Sequence, residues 1–203
     1  MSKNISHLLF DLGGVIVELR GQPILNEWMG TDDTPEDVWE KWLTSKAPRA
    51  FESGKIGKED FASMIVDELS LTVSTDEFLR YFTSLPIGPY PGAIELLESL
   101  KLRYTIALFS NSNIVHWDRK MNEMHLRTVF DHHFASHIMG KVKPDIEAFE
   151  QVVSELSVSP TRILFFDDNQ MNVEAAQQLG MNAVRVVGFD NLPSALAEYD
   201  IQV

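Results

Sequence analysis

The apolar positions follow two patterns, and the change between them divides the chain. Leu8-Leu9-Phe10, with Ile5 upstream, is a short continuous apolar run, which suits a strand buried on both faces. After Val17 the period becomes helical. Leu25, Trp28 and Met29 recur at i, i+3, i+4 between Pro23 and Gly30. Trp39, Trp42 and Leu43 follow the Thr34-Pro35 helix start, and Phe61, Met64, Ile65 and Leu69 form a third stripe. Ser74 and Glu77 make a capping box ahead of Phe78, Tyr81, Phe82 and Leu85. Residues 18–85 thus predict four helices and no strand, with aromatic stripes that serve as core.

The stretch Pro86-Ile87-Gly88-Pro89-Tyr90-Pro91-Gly92 breaks this period and reads as a linker or turn. Strand and helix then alternate. Helices are predicted at about 93–102, 114–125, 146–156, 173–179 and 192–199, and strands at 104–109, 133–136, 163–166 and 183–187. Such alternation means a parallel sheet with helices on both faces, and the strand at 7–10 belongs to it. The predicted fold is α/β. A Rossmann-like parallel sheet core flanked by helices, residues 1–17 and 86–203, is interrupted by an inserted all-helical, four-helix domain, residues 18–85.

Composition narrows the class. At 203 residues the chain can bury a core without disulfides or a structural metal. It has no cysteine, which excludes thiol catalysis and thiolate metal sites and suits a reducing, cytoplasmic location. The N-terminal MSKNISHLL does not read as an export signal, and no apolar run is long enough to span a membrane. A net charge of −13 argues against a nucleic-acid partner but leaves room for a local anion pocket. A monomer or weak homodimer is the default expectation.

Four stretches of chemical interest follow predicted strands, where open α/β sheets place their ligands. Asp11 ends the first strand, and Gly13 and Gly14 let the chain turn sharply close to a ligand. Ser110-Asn111 can hold a phosphate oxygen through a hydroxyl and free N–H groups. Lys143, stiffened by Pro144, can pair with an anion. Asp167-Asp168, with Asn172 beyond, follows the apolar Phe165-Phe166. If that strand lies beside the first, three acids crowd one sheet edge and need a raised pKa or a cation. Oxygen ligands of this kind suit Mg²⁺.

In this order, Phe-Asp-Leu-Gly-Gly-Val, Ser-Asn, Lys-Pro and Phe-Phe-Asp-Asp-Asn resemble the motifs of the haloacid dehalogenase-like (HAD) hydrolase superfamily. They look most like its small bacterial sugar-phosphate phosphatases with an inserted helical cap. The resemblance implies a Mg²⁺-dependent phosphatase with Asp11 as nucleophile. Ser110, Asn111 and Lys143 would hold the phosphate. Asp11, Asp168 and the Gly13 carbonyl would hold the metal, supported by Asp167 and Asn172.

The chain departs from the family pattern at one place. The usual second Asp, two residues after the nucleophile, is Gly13 here. Loss of that general acid/base costs roughly 10²–10⁴-fold. It favours substrates with a good leaving oxygen, such as anomeric sugar phosphates, unless Glu18, a cap acid or water substitutes. Arg20, Arg49, Lys55 and Lys58 are the cations of the cap region that could meet a substrate. Three rivals compete: a 2-haloacid dehalogenase, which leaves the acidic pair unexplained; a phosphomutase, which needs the missing acid/base; and a non-catalytic phospho-ligand-binding or regulatory protein, which Gly13 favours.

Overall fold

A computed structural model of the protein describes residues 4–202. Met1–Lys3, the start of the stretch read for an export signal, and Val203 lie outside the described residues. The chain runs through β1 (His7–Phe10), β2 (Val17–Leu19), α1 (Asn26–Met29), α2 (Pro35–Thr44), α3 (Lys46–Glu52), α4 (Lys58–Glu68) and α5 (Thr75–Thr83). There follow β3 (Pro86–Pro89), α6 (Ala93–Lys101), β4 (Thr105–Ser110), α7 (Ile114–Asp118), α8 (Leu126–Val129), β5 (His132–Ala135) and α9 (Ser136–Met139). The last elements are α10 (Ile146–Leu156), β6 (Ile163–Asp167), α11 (Gln170–Gln178), β7 (Asn182–Arg185) and α12 (Leu192–Ala197).

Five strands form one sheet in the order β5-β4-β1-β6-β7, with every neighbouring pair parallel. β1 is central, so its side chains must be apolar on both faces. Leu8 and Phe10 pack with Leu97, Leu100 and Leu196 on one side, while Leu9 packs with Phe149, Val152 and Val173 on the other. Phe10 pairs in register with Leu108 of β4 and Phe166 of β6, which levels the C-terminal ends of the three middle strands. The order reverses around β1, and that is where this sheet type opens a crevice.

The aromatic stripes of 18–85 are core, as expected. Phe51 and Phe61 stack at 4.3 Å, and Trp42, Phe78 and Phe82 close around them. Leu43 and Met64, read as parts of these stripes, instead face solvent.

The expected four helices are five. The additional one is α3, with Pro48 at its third position. Proline is tolerated in a first turn, where its missing N–H has no intrahelical partner. The stretch also contains a strand the helical reading excluded. β2 pairs antiparallel with β3, so the segment taken as a linker is a strand. Both chain crossings between the sheet and the helical block therefore run through one two-stranded ribbon. The helix expected at 114–125 is α only over α7, and Arg119–Glu123 continue it as a π-helical turn. Among the described residues no helix is long and apolar enough to cross a membrane.

Candidate active site

The levelled strand ends bring Asp11, Ser110 and Asp167 to one edge. The Asp11 N–H donates to the Phe166 carbonyl at 2.8 Å, which fixes the aspartate as the strand leaves the sheet. Lys143 enters between the acids and is buried. Its Nζ donates to Asp11 Oδ1 at 2.7 Å, to Asp167 Oδ2 at 2.6 Å and to the Phe109 carbonyl at 2.8 Å. An ammonium has three protons, and all three are used. Burial alone would lower the Lys143 pKa; the Asp11 and Asp167 carboxylates override that and hold it above its ordinary value.

Asn111 has a part that the sequence did not reveal. Its amide Nδ2 donates to the Lys143 carbonyl at 2.9 Å, and its Oδ1 accepts from the Lys143 N–H at 2.8 Å. This two-point clamp ties the loop after β4 to the lysine. Asp167 is similarly pinned: it accepts from the Asn169 N–H at 2.8 Å and from Asn172 Nδ2 at 3.0 and 3.1 Å. Burial raises its pKa, and the Lys143 ammonium pulls it back.

Asp168 lies beside this group, half-buried. Burial, then the Asp11 and Asp167 carboxylates, push it up to about 7 against the pull of Lys143. Gly14 makes room for it. A Cβ at Gly14, whose φ is +72°, would lie 2.6 Å from Asp168 Oδ2. Gly13 has no such requirement, since a Cβ there meets only the Leu19 side chain, at 3.2 Å. Of the two glycines read as turn-formers, only Gly14 adopts a backbone that demands one.

The oxygens here fit a hard divalent cation. Three carboxylates surround Lys143, the one ammonium hydrogen-bonded to any of them among the described residues, which leaves negative charge to neutralise. The turn's own bonds, Val17 N–H to Leu12 O at 2.7 Å and Gly14 N–H to Val17 O at 2.9 Å, do not engage the Gly13 carbonyl. Among the described residues no cluster of three or more His, Asp or Glu side chains can hold a metal alone. Two carboxylates, a main-chain carbonyl and water form a set that suits Mg²⁺.

The charge crowding has a consequence for stability. Folded Asp168, raised to about 7, keeps a proton that the unfolded chain releases near pH 4. The folded state binds more protons between these values, so metal-free stability falls as pH rises from about 4 to about 7. Asp168→Asn should therefore raise the metal-free melting temperature at pH 8 and change it little at pH 5. A calorimetric scan showing equal effects at both pH values would contradict this.

Of the other candidates, Glu18, Arg20 and Lys55 are exposed. Lys58 pairs loosely with Glu59 at 3.7 Å, and Arg49 bonds Asp145 at 2.5 Å, beside the Lys143-Pro144 loop. Two charged residues that the sequence did not single out also face the site. Glu52 ends α3, and Lys120 is buried in the π-helical turn. Both lie within electrostatic reach of Asp11 and Lys143. No sequence pattern marked Glu52, because the helix that carries it was not predicted.

A family profile described as haloacid dehalogenase-like hydrolase matches residues 5–180. The sesquiterpene phosphatase astK of Aspergillus oryzae is 30% identical over 179 residues, 85% of each chain. The D-ribitol-5-phosphate phosphatase of Bacteroides thetaiotaomicron is 23% identical over 188 residues, covering 87% of this chain and 89% of that one. Among solved structures, a HAD family enzyme from Bacteroides thetaiotaomicron in complex with magnesium and inorganic phosphate matches with a TM-score of 0.72. It is 26% identical, and the match covers 91% of this chain and 96% of that one. The chain is thus an enzyme of the hydrolase class, and the curated relatives that span it are phosphoric monoester hydrolases. Its family is that of the haloacid dehalogenase-like hydrolases, to which it belongs.

Proposed function

We propose that the protein is a Mg²⁺-dependent phosphatase that hydrolyses a small, sugar-phosphate-like metabolite through an aspartyl-phosphate on Asp11. The observation that carries this reading is the saturated Lys143 ammonium, held between Asp11 and Asp167 at 2.7 and 2.6 Å. It fixes Asp11 Oδ1, while Oδ2 has no hydrogen bond among the described residues and is available to attack phosphorus. Ser110 and the Asn111 N–H hold the phosphoryl oxygens, and Lys143, its three protons engaged, offsets charge on nucleophile and phosphate. Phosphoryl transfer asks little more of a protein than such positioning and charge neutralisation.

Asp11, Asp168 and the Gly13 carbonyl would hold Mg²⁺, which when bound supplies positive charge against the phosphoryl oxygens. Asp167 and Asn172 support that set. The helical residues 18–85 act as a cap over the Asp11 edge of the core formed by 1–17 and 86–203. The contact of α3 with α9 and the Arg49–Asp145 pair support this arrangement. The absence of cysteine suits action in the cytoplasm.

A non-catalytic phospho-ligand binder is the second reading, and Gly13 favours it. The test is turnover of a panel of aryl, anomeric and alkyl phosphates with Mg²⁺ and with EDTA. Hydrolysis that stops on chelation and returns with Mg²⁺ is the expected result. A folded protein that binds inorganic phosphate but turns over no member of the panel would overturn the phosphatase reading in favour of binding.

A further inference from the structure

The site lacks a proton donor at position 13, yet an acid of the helical block lies within electrostatic reach of Asp11. Glu52 is the last residue of α3, and two contacts seat that corner on the sheet domain. Upstream, Arg49 bonds Asp145, two residues past Lys143. Downstream, Gly54 packs so tightly on α9 that a Cβ there would lie 2.5 Å from the His137 carbonyl, and its φ of +70° suits glycine alone. Glu52 is carried between these two fixed points.

Its side chain is enclosed by protein atoms while its residue keeps some solvent contact, as befits a group lining a crevice. Among the described residues no hydrogen bond or ion pair engages its carboxyl, and none engages the Lys120 ammonium. The charged groups that face Glu52 are Lys120 from the π-helical turn, Lys143 from its loop and Asp11 from the end of β1. An acid and a buried lysine, neither of them hydrogen-bonded among the described residues, thus lie within electrostatic reach of each other and of the nucleophile.

We infer that Glu52 is the general acid/base of the reaction, supplying from the helical block the group that Gly13 lacks. This rests on the phosphatase reading of Asp11. In the first step an Asp11 oxygen bonds to phosphorus, the ester P–O bond breaks, and the leaving oxygen takes the Glu52 proton. In the second, the Glu52 carboxylate takes a proton from water as the water oxygen bonds to phosphorus. The Asp11–phosphorus bond breaks, inorganic phosphate leaves, and Glu52 is protonated again. Burial, with Asp11 adding and Lys120 and Lys143 opposing, pushes the Glu52 pKa up to about 7, where an acid/base at neutral pH works best.

The experiment compares a nitrophenyl phosphate, whose leaving oxygen needs no proton, with a simple alkyl phosphate, whose leaving oxygen does. Glu52→Gln should cut kcat/KM for the alkyl ester by roughly 10²–10⁴-fold. Nitrophenolate release in the first turnover should slow less than about tenfold. Gly13→Asp in the Glu52→Gln background should restore alkyl turnover, because it returns a donor to the usual place and only the Leu19 side chain must shift. The wild type alone offers an independent reading. Its alkyl-ester kcat/KM should fall on the alkaline side as Glu52 loses its proton, whereas nitrophenyl first-turnover release should not. Equal losses on both esters in a folded Glu52→Gln variant, or identical alkaline limbs in the wild type, would overturn the role of Glu52 while the phosphatase reading stands. Absence of all turnover in the wild type would instead remove the reading on which it rests.

Discussion

On the proposed mechanism, Asp11→Asn should remove phosphatase turnover, lowering kcat/KM by roughly 10⁴-fold or more, without unfolding the protein. The amide keeps the shape of the carboxyl and loses the nucleophile. Its stability effect is the balance of two terms. Lys143 loses one charged partner but keeps Asp167 at 2.6 Å and the Phe109 carbonyl at 2.8 Å. Against this, one of three crowded carboxylates disappears, which relieves Asp167 and Asp168, both raised in part by Asp11. The metal-free melting temperature at pH 8 should therefore stay close to wild type or rise. Loss of function without loss of stability is the usual sign of a strained active site. Residual turnover within about tenfold of wild type would exclude Asp11 as nucleophile.

Much of this site was legible because its parts are fixed by topology. A buried central strand must be apolar, and the first polar residue after it must fall at the sheet edge. Asp11, Ser110, Asp167 and Asp168 needed only the parallel order of β1, β4 and β6, which βα alternation implies. Lys143 was legible through its proline, although its threefold bonding was not. The unreadable parts depend on tertiary packing. In the ribbon, β2 is the three residues Val17–Leu19, too short to establish a period, and β3 holds two prolines and a glycine, residues that argue against a strand. α3 has seven residues with Pro48 among them, too short for a helical stripe, so Glu52 could not be placed. The π-helical turn at Arg119–Glu123 shifts the face that Lys120 presents, and helical spacing alone gives no warning of it. The Asn111 clamp is read only when the loop after β4 meets the Lys143 loop, 32 residues away.

Lys143→Ala should have the largest effect on folding of any single change at the site. The ammonium is the only cation hydrogen-bonded to Asp11 and Asp167 among the described residues, and both of its carboxylate partners are buried. Removing one member of a buried ionic group costs more than the group itself contributes, because the charges left behind can neither pair nor hydrate. A cost of about 3–5 kcal/mol is expected at neutral pH. Asp167 retains the Asn172 amide and the Asn169 N–H, while Asp11 retains no side-chain donor. The deficit therefore falls mainly on the Asp11 side. Urea unfolding of wild type and variant at pH 8 measures the cost directly. Lys143→Arg keeps the charge but cannot deliver three protons from one point, so it should recover part of the stability and little of the turnover. A deficit below about 1 kcal/mol at pH 8 would mean that the acids are relieved by other means, and the saturated lysine would lose its place as the organising group of the site.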